Sequence, residues 1–267
     1  MPSIKGHAVL VIGGSSGIGF AVSKLALAEG CRVAIASSNP TRVSNAIGRL
    51  ENAVPGGSLI GGYTCDLNSD DVEARMEKLL TNVIDDLNKN STEDKKLLDH
   101  IVFTAGMITD LKPVSQTSVS HLRGAGGLLF CAPLIMAKLL TTPGRFVTAS
   151  YRSSLTLTGG RLSEKPLADY TVASAYASAL HGMTKGLALD MAPNLRVNFV
   201  APGATDTELW GEEGSPGRLA YREMCAKAAL LGRPADPEDV AEAYIYLMKD
   251  PNVTGTAVHT SGGVLLQ

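Results

Sequence analysis

The sequence predicts an α/β fold: a doubly wound, seven-stranded parallel sheet in a single domain. Three observations predict it. The chain alternates short β-rich runs with amphipathic stretches, the pattern of successive βαβ units. Its 267 residues suit one such sheet. It is 45% hydrophobic and 19% charged, with 28 glycines, a mixture that fits buried strands joined by tight turns. Strands are read at 7–13, 31–36, 58–65, 100–104, 144–149, 195–200 and 256–260. Helices are expected near 17–29, 40–52, 69–87, 118–140, 171–192, 206–230 and 237–249. A helix between each neighbouring pair of strands covers both faces of the sheet. The polar run Asp85–Lys96 reads as a solvated loop. The segments 152–167 and 206–218 read as mobile surface pieces near a site.

The formal net charge is −2, from 24 basic and 26 acidic residues, which leaves no basic field for nucleic acid. Cys31, Cys65, Cys131 and Cys225 form no Cys-x-x-Cys pair, so they read as reduced thiols. No cluster has metal-ligand spacing. The first apolar run, Ala8–Ile12, is too short to span a bilayer, and no cleavage-site pattern precedes it. The expectation is a soluble, cytoplasmic protein that handles a small molecule, with no membrane and no metal.

The strongest motif runs from His7 to Phe20. An apolar strand feeds Gly13-Gly14-Ser15-Ser16-Gly17-Ile18-Gly19, and an apolar helix comes directly after. Glycines at 13, 17 and 19 let the backbone turn sharply and approach a pyrophosphate, whose charge rests on free N–H groups at a helix N-terminus. Strand, loop and helix together make this a dinucleotide site of the Rossmann type. The second strand ends in Ser37-Ser38-Asn39-Pro40-Thr41-Arg42. Selection for NAD places an Asp or Glu here, about 20 residues after the loop, to hold the ribose 2′-hydroxyl. Hydroxyls, an amide and Arg42 stand there instead, and they suit a 2′-phosphate. NADP is the expected cofactor.

With the rest of the chain, these motifs resemble the short-chain dehydrogenase/reductase family. Cys65-Asp66-Leu67 is similar to its adenine-contacting acidic turn. Phe103-Thr104-Ala105-Gly106 stands where the family has Asn-Asn-Ala-Gly. Gly182 through Asp190 match the later part of its active-site helix. Arg196-Val197-Asn198, then Pro202-Gly203-Ala204-Thr205 and Thr207, match the strand and loop that hold the nicotinamide carboxamide. Gly232-Arg233-Pro234, Pro237 through Ala241, and Thr254-Gly255 match its C-terminal signature. The resemblance implies a homodimer or homotetramer, associated through the two long helices after strands four and five. It also implies a lid over the nicotinamide at about 206–231, carrying Trp210.

Family members carry a Tyr-x-x-x-Lys pair on the active-site helix, with a Ser and an Asn nearby. Registered on Gly182 and Leu187-Ala188-Leu189-Asp190, the Tyr slot falls on Ala173 and the Lys slot on Ala177. Registered on Gly144-Arg145-Phe146-Val147, the Ser slot falls on Tyr151, which leaves nine or so extra residues between strand and helix. Leu129 takes the Asn slot. Tyr176 with Leu180 keeps the Tyr spacing without the Lys. Reducing a ketone creates an alkoxide that needs a proton, and a positioned acid contributes roughly 10²–10⁴ in rate. An iminium ion needs none, because hydride addition leaves a neutral amine.

The chain also resembles a divergent fungal branch of the family, whose members include reductase/Diels–Alderases of bicyclic indole alkaloid pathways. The resemblance lies in Ser38-Asn39-Pro40-Thr41, in Ala132-Pro133 through Leu140, and in Ala241 through Asp250. Those cyclases carry an Arg, an Asp and a Trp where this chain has Leu129, Leu167 and Tyr170. Tyr151, read at the end of a central strand, and Tyr170, ahead of the active-site helix, are the candidate substrate-facing residues. The resemblance implies an NADP(H)-dependent reductase of an iminium or other activated C=N or conjugated substrate in secondary metabolism. The alternatives are a cyclase or isomerase that keeps NADP as part of its pocket, and a silent NADP(H)-binding regulator.

Overall fold

The computed structural model describes residues 2–89, 95–107 and 112–267. One seven-stranded sheet organises it, in the order β3-β2-β1-β4-β5-β6-β7, with every pairing parallel. The strands are β1 (Ala8–Ile12), β2 (Arg32–Ser37), β3 (Ser58–Thr64), β4 (His100–Phe103), β5 (Ser154–Thr158), β6 (Arg196–Pro202) and β7 (Ala257–Thr260). The helices are α1 (Gly17–Ala28), α2 (Pro40–Ala53), α3 (Val72–Asn88), α4 (Val119–Gly126), α5 (Ala132–Leu140), α6 (Thr171–Met191), α7 (Pro216–Ala228) and α8 (Pro237–Lys249).

Strand alternation sends each second residue to the opposite face. Ala8, Leu10 and Ile12 therefore pack with Met76, Leu80 and Met136 on one side, beneath α3, α5 and α6. Val9 and Val11 pack with Val22, Ala241 and Ile245 on the other, beneath α1, α2 and α8. Strand order reverses between β1 and β4, and the C-terminal ends there open the crevice where this architecture binds ligands.

Six of the seven expected strands form where the sequence places them. The fifth does not. The apolar run 144–149 makes only an isolated bridge, Leu98 to Val147, and buries Phe146 and Val147 as a plug. The strand that fills the gap between β4 and β6 is Ser154-Leu155-Thr156-Leu157-Thr158. Its hydroxyls made it read as a loop, yet the first and last of them are paired inside, and only the buried Thr156 hydroxyl of the strand has no partner among the described residues. Ser154 Oγ lies 2.9 Å from His100 Nδ1, and Thr158 Oγ1 lies 2.7 Å from the Tyr244 hydroxyl. The extra residues thus lie before the strand and not after it.

Three smaller differences arise from local backbone. The helix expected over 118–140 is a rod in three parts, with a π-helical segment, Gly127–Cys131, between α4 and α5. The helix expected over 206–230 starts only at Pro216, after a short 3₁₀ turn (Glu208–Trp210) and left-handed glycines at 211 and 214. The polar segment 85–96 is helical through Asn88, and its centre, 90–94, lies outside the described residues.

The N-terminal edge of the sheet is fastened by buried polar groups. Arg196, 4% exposed, donates to the carbonyl oxygens of Tyr151, Arg152, Leu247, Met248 and Val253. His100 is fully buried between Ser154 and His7. Burial, aided by His7 and Arg196, holds its imidazole well below the usual 6.5. Below that value the unfolded chain binds a proton that the fold refuses, so this stability is present above pH 6.5 and is lost as the pH falls. Thermal denaturation should therefore show a melting temperature falling between about pH 7 and 5 in the native chain, and falling less in His100→Gln. Identical pH slopes in the two proteins would contradict the assignment.

Candidate active site

The C-terminal ends of β1, β4, β5 and β6 assemble the site. At β1 the chain turns through Gly13, with φ at 90°, where an added Cβ would lie 2.6 Å from the Ala105 nitrogen. A Cβ on Gly19 would meet the Gly13 carbonyl oxygen at 2.3 Å and Thr104 Oγ1 at 2.5 Å. Thr104 Oγ1 donates to the Ile12 carbonyl at 2.9 Å, so this threonine ties β4 to the glycine loop. Ala105 and Gly106 continue past it along the same edge. Only glycine fits at 13 and 19, and the loop is held against α1 for that reason.

Ser16 is the N-cap of α1 and makes no side-chain cap bond, while Ser15 is buried and Ile18 lies within the first turn of the helix. The Gly17 N–H instead donates to Glu208 Oε2 at 2.9 Å. Glu208 reaches in from the segment after β6 and also lies 3.8 Å from the Arg49 guanidinium. A carboxylate thus stands where the helix dipole and free N–H groups favour an anion. The cradle fits a pyrophosphate on that observation.

At the end of β2, Ser37 closes the ladder against Thr64, and Ser38 leads into α2. Asn39 caps that helix, its side-chain oxygen accepting from the Arg42 N–H at 2.9 Å. The Arg42 side chain is exposed in the first helical turn, with no ion pair among the described residues. Two serine hydroxyls and an open guanidinium thus border the end of β2, with no carboxylate in the run Ser37 to Arg42. Asp66 is exposed and folds its own turn by accepting from the Asn68 N–H at 3.0 Å, while Leu67 is core. Cys65-Asp66-Leu67 thus forms a turn with one open carboxylate.

The β6 edge supplies Pro202 and Gly203, where a Cβ on Gly203 would strike Ser261 at 2.7 Å. Ala204 and Thr205 bridge to Ala235, and Thr207 caps the short 3₁₀ turn. The segment beyond this turn is stapled to itself. Asp206 accepts from Arg218 Nε at 2.8 Å and also binds Arg222, and Trp210 meets the Tyr221 ring edge-on at 4.7 Å.

The corrected strand changes which residues face this edge. β5 leads into Gly159-Gly160, and a Cβ on Gly159 would overlap the Phe199 ring at 2.3 Å. Gly160 has room, its nearest neighbour being the Pro202 carbonyl oxygen at 3.8 Å. Tyr151, expected at this end, instead precedes β5 at the opposite edge, 54% exposed, with its carbonyl bound to Arg196. It does not join the site. The serine slot therefore falls on the Gly159-Gly160 pair. On α6, Ala173 and Ala177 carry no polar side-chain atom. Tyr176 donates its hydroxyl to the Leu122 carbonyl at 2.7 Å and fills the space over Gly126, so it holds α4 to α6. Leu129 sits in the π-helical segment. Tyr170 caps α6 after Asp169, which has a left-handed φ of 65°. It lies within electrostatic range of the lid residue Tyr221. Sequence reasoning missed Arg161, Tyr221 and Glu208, and only a correct end for β5 and a correct start for α7 would have brought them into view.

Gly17 offers a direct test of the cradle. Gly17→Leu adds a side chain against Thr207 at a positive φ and should weaken NADPH binding roughly 10- to 100-fold, the scale of one or two charge-assisted hydrogen bonds. Titration calorimetry showing undiminished affinity would remove the loop from the site.

Comparisons agree with this geometry. Residues 3–267 match the family described as SDR-like Rossmann domain. The chain is 42% identical to Short-chain dehydrogenase/reductase ATR9 of Stachybotrys chlorohalonatus, over all of both proteins. The structure of MalC Reductase/Diels-Alderase from Malbranchea aurantiaca superposes with a TM-score of 0.89 at 35% identity, covering 100% of this chain and 99% of that one. A small-chain dehydrogenase in complex with NADPH superposes at 0.75 with 25% identity, covering 98% and 100%. The chain belongs to the short-chain dehydrogenase/reductase family.

Proposed function

We propose that the protein is an NADPH-dependent reductase of secondary metabolism, acting on an electrophile that accepts hydride without a protein acid. One observation carries this reading. The positions that the family fills with a proton donor and its lysine, as registered on α6, are Ala173 and Ala177, and the residues that follow β5 are Gly159-Gly160. A reduced nicotinamide held at the Pro202-Gly203 turn would supply the hydride. The residues of this chain hold and orient: Gly13, Gly17 and Gly19 admit the pyrophosphate, Arg42 with Ser37 and Ser38 receives the 2′-phosphate, and the lid over Trp210 and Tyr221 excludes water. A neutral ketone gains no positioned proton here and forgoes roughly 10²–10⁴ in rate. Hydride addition to an iminium leaves a neutral amine, and addition to a conjugated carbonyl leaves a delocalised enolate that takes its proton from solvent in a later step.

A second reading is a cyclase that keeps the dinucleotide as part of its pocket. The superposition on MalC Reductase/Diels-Alderase over the whole chain supports it. Against it stand Leu129, Leu167 and Tyr170, apolar or neutral where the resembling cyclases carry Arg, Asp and Trp.

NADPH and NADH titrations separate the cofactor claim from the chemistry. NADPH should bind at least about tenfold more tightly than NADH, and Arg42→Ala should remove most of that preference, the worth of one charged hydrogen-bonding group. Stoichiometric NADPH oxidation is then expected with a cyclic iminium or an α,β-unsaturated ketone, and not with a saturated ketone. Equal affinity for the two dinucleotides, or fast reduction of saturated ketones, would overturn the reading. Product formed with NADP+ alone would favour the cyclase.

A further inference from the structure

The connection from β5 to α6 opens with three charged side chains, Arg161, Glu164 and Lys165. Two of them are engaged: Glu164 Oε1 lies 3.0 Å from His259 Nε2, and Lys165 Nζ donates to the Val264 carbonyl at 2.8 Å. Across the cleft, Asp206 is taken up by Arg218 and Arg222, and Glu223 by Lys227. Arg161 is different. Its guanidinium has no hydrogen bond or ion pair among the described residues, Asp169 included, although the residue is partly buried.

Its position is defined by the backbone. Arg161 directly follows Gly160, the residue at the Pro202 carbonyl, and begins a short 3₁₀ turn (Arg161–Ser163) that packs on α6. Its charge acts on Tyr221 and Cys225, both on the lid helix α7. Burial pushes the Tyr221 phenol up to about 12, and the Arg161 cation pulls the other way. Arg161 therefore follows β5 directly and lies within electrostatic range of α7, whose Tyr221 meets Trp210 edge-on.

An unpaired, partly desolvated guanidinium is costly, and its planar fork is shaped for two oxygens of one group. We propose that Arg161 is a substrate-recognition residue that binds an anionic oxygen group, a carboxylate or an enolate, on a flat conjugated substrate lying against Trp210, Tyr170 and Tyr221. The proposal rests on the reductase reading of this cleft and narrows it. Of the two electrophile classes, a conjugated carbonyl, whose oxygen gains negative charge, suits this cation. A cationic iminium is repelled by it.

Calorimetry on the NADP+-loaded protein tests the proposal with three probes of one shape: trans-cinnamate, cinnamamide and cinnamylammonium. Cinnamate should bind about tenfold more tightly than cinnamamide, the scale of one charge-assisted contact, and cinnamylammonium most weakly. Arg161→Gln should erase the cinnamate preference and Arg161→Lys should keep part of it, with NADP+ affinity unchanged in both. The proposal is overturned by cinnamate binding no better than cinnamamide, by no measurable cinnamate binding at millimolar concentration, by cinnamylammonium binding best, or by a preference that survives Arg161→Gln. Any of these with NADP+ bound normally leaves the reductase reading standing, whereas failure of NADP+ to bind removes that reading itself.

Discussion

The pairing of β5 between β4 and β6 fixes everything at the mouth of this protein. Ser154 lies opposite His100 on one side and Arg196 on the other, so the strand ends level with Phe103 and Val200. The residues after the strand must emerge over the site. They are Gly159, which the Phe199 ring forbids a side chain, then Gly160 and Arg161. The register also explains why Tyr151 is remote: it belongs to the residues that Arg196 fastens at the far edge. Shifting β5 to the apolar run before it would exchange a glycine pair for a tyrosine at the catalytic edge.

The cradle and the lid are coupled through the same edge. Glu208 bonds Gly17, and its neighbour Thr207 packs against that glycine, so the segment after β6 touches the glycine loop before any ligand is considered. Asp206 ties the first turn of the lid to α7 through two arginines. A dinucleotide pyrophosphate would compete with the Glu208 carboxylate for the same N–H, so cofactor binding and lid position are expected to move together. Under the proposed reading, the selectivity of the protein lies in what its pocket lacks on α6 and in the cation it keeps at Arg161.

Much of this was legible in the sequence because the signals were local. The glycine loop, the β2 end without a carboxylate, and the α6 positions Ala173 and Ala177 each depend on spacing within one strand or helix. The fifth strand was not legible, because two neighbouring segments both had strand character. The segment 144–149 lost to Ser154–Thr158, whose first and last hydroxyls find partners on His100 and Tyr244, residues far away in sequence. Three errors at the site descend from that one. Tyr151 was placed on the wrong edge, the extra residues on the wrong side of the strand, and Arg161 was left inside an expected loop. The helix expected over 206–230 was read too long because it was carried across Gly211 and Gly214, whose positive φ values break it.

The proposed chemistry requires that β5 present glycine, and α6 alanine, to the dinucleotide. A crystal structure with NADP+ bound measures this directly. The carboxamide should lie at Pro202-Gly203, with Gly160, Ala173 and Ala177 nearest the nicotinamide ring and Tyr151 at the other end of the sheet. A fifth strand formed by 144–149, bringing the Tyr151 hydroxyl within hydrogen-bond reach of the ring, would contradict it.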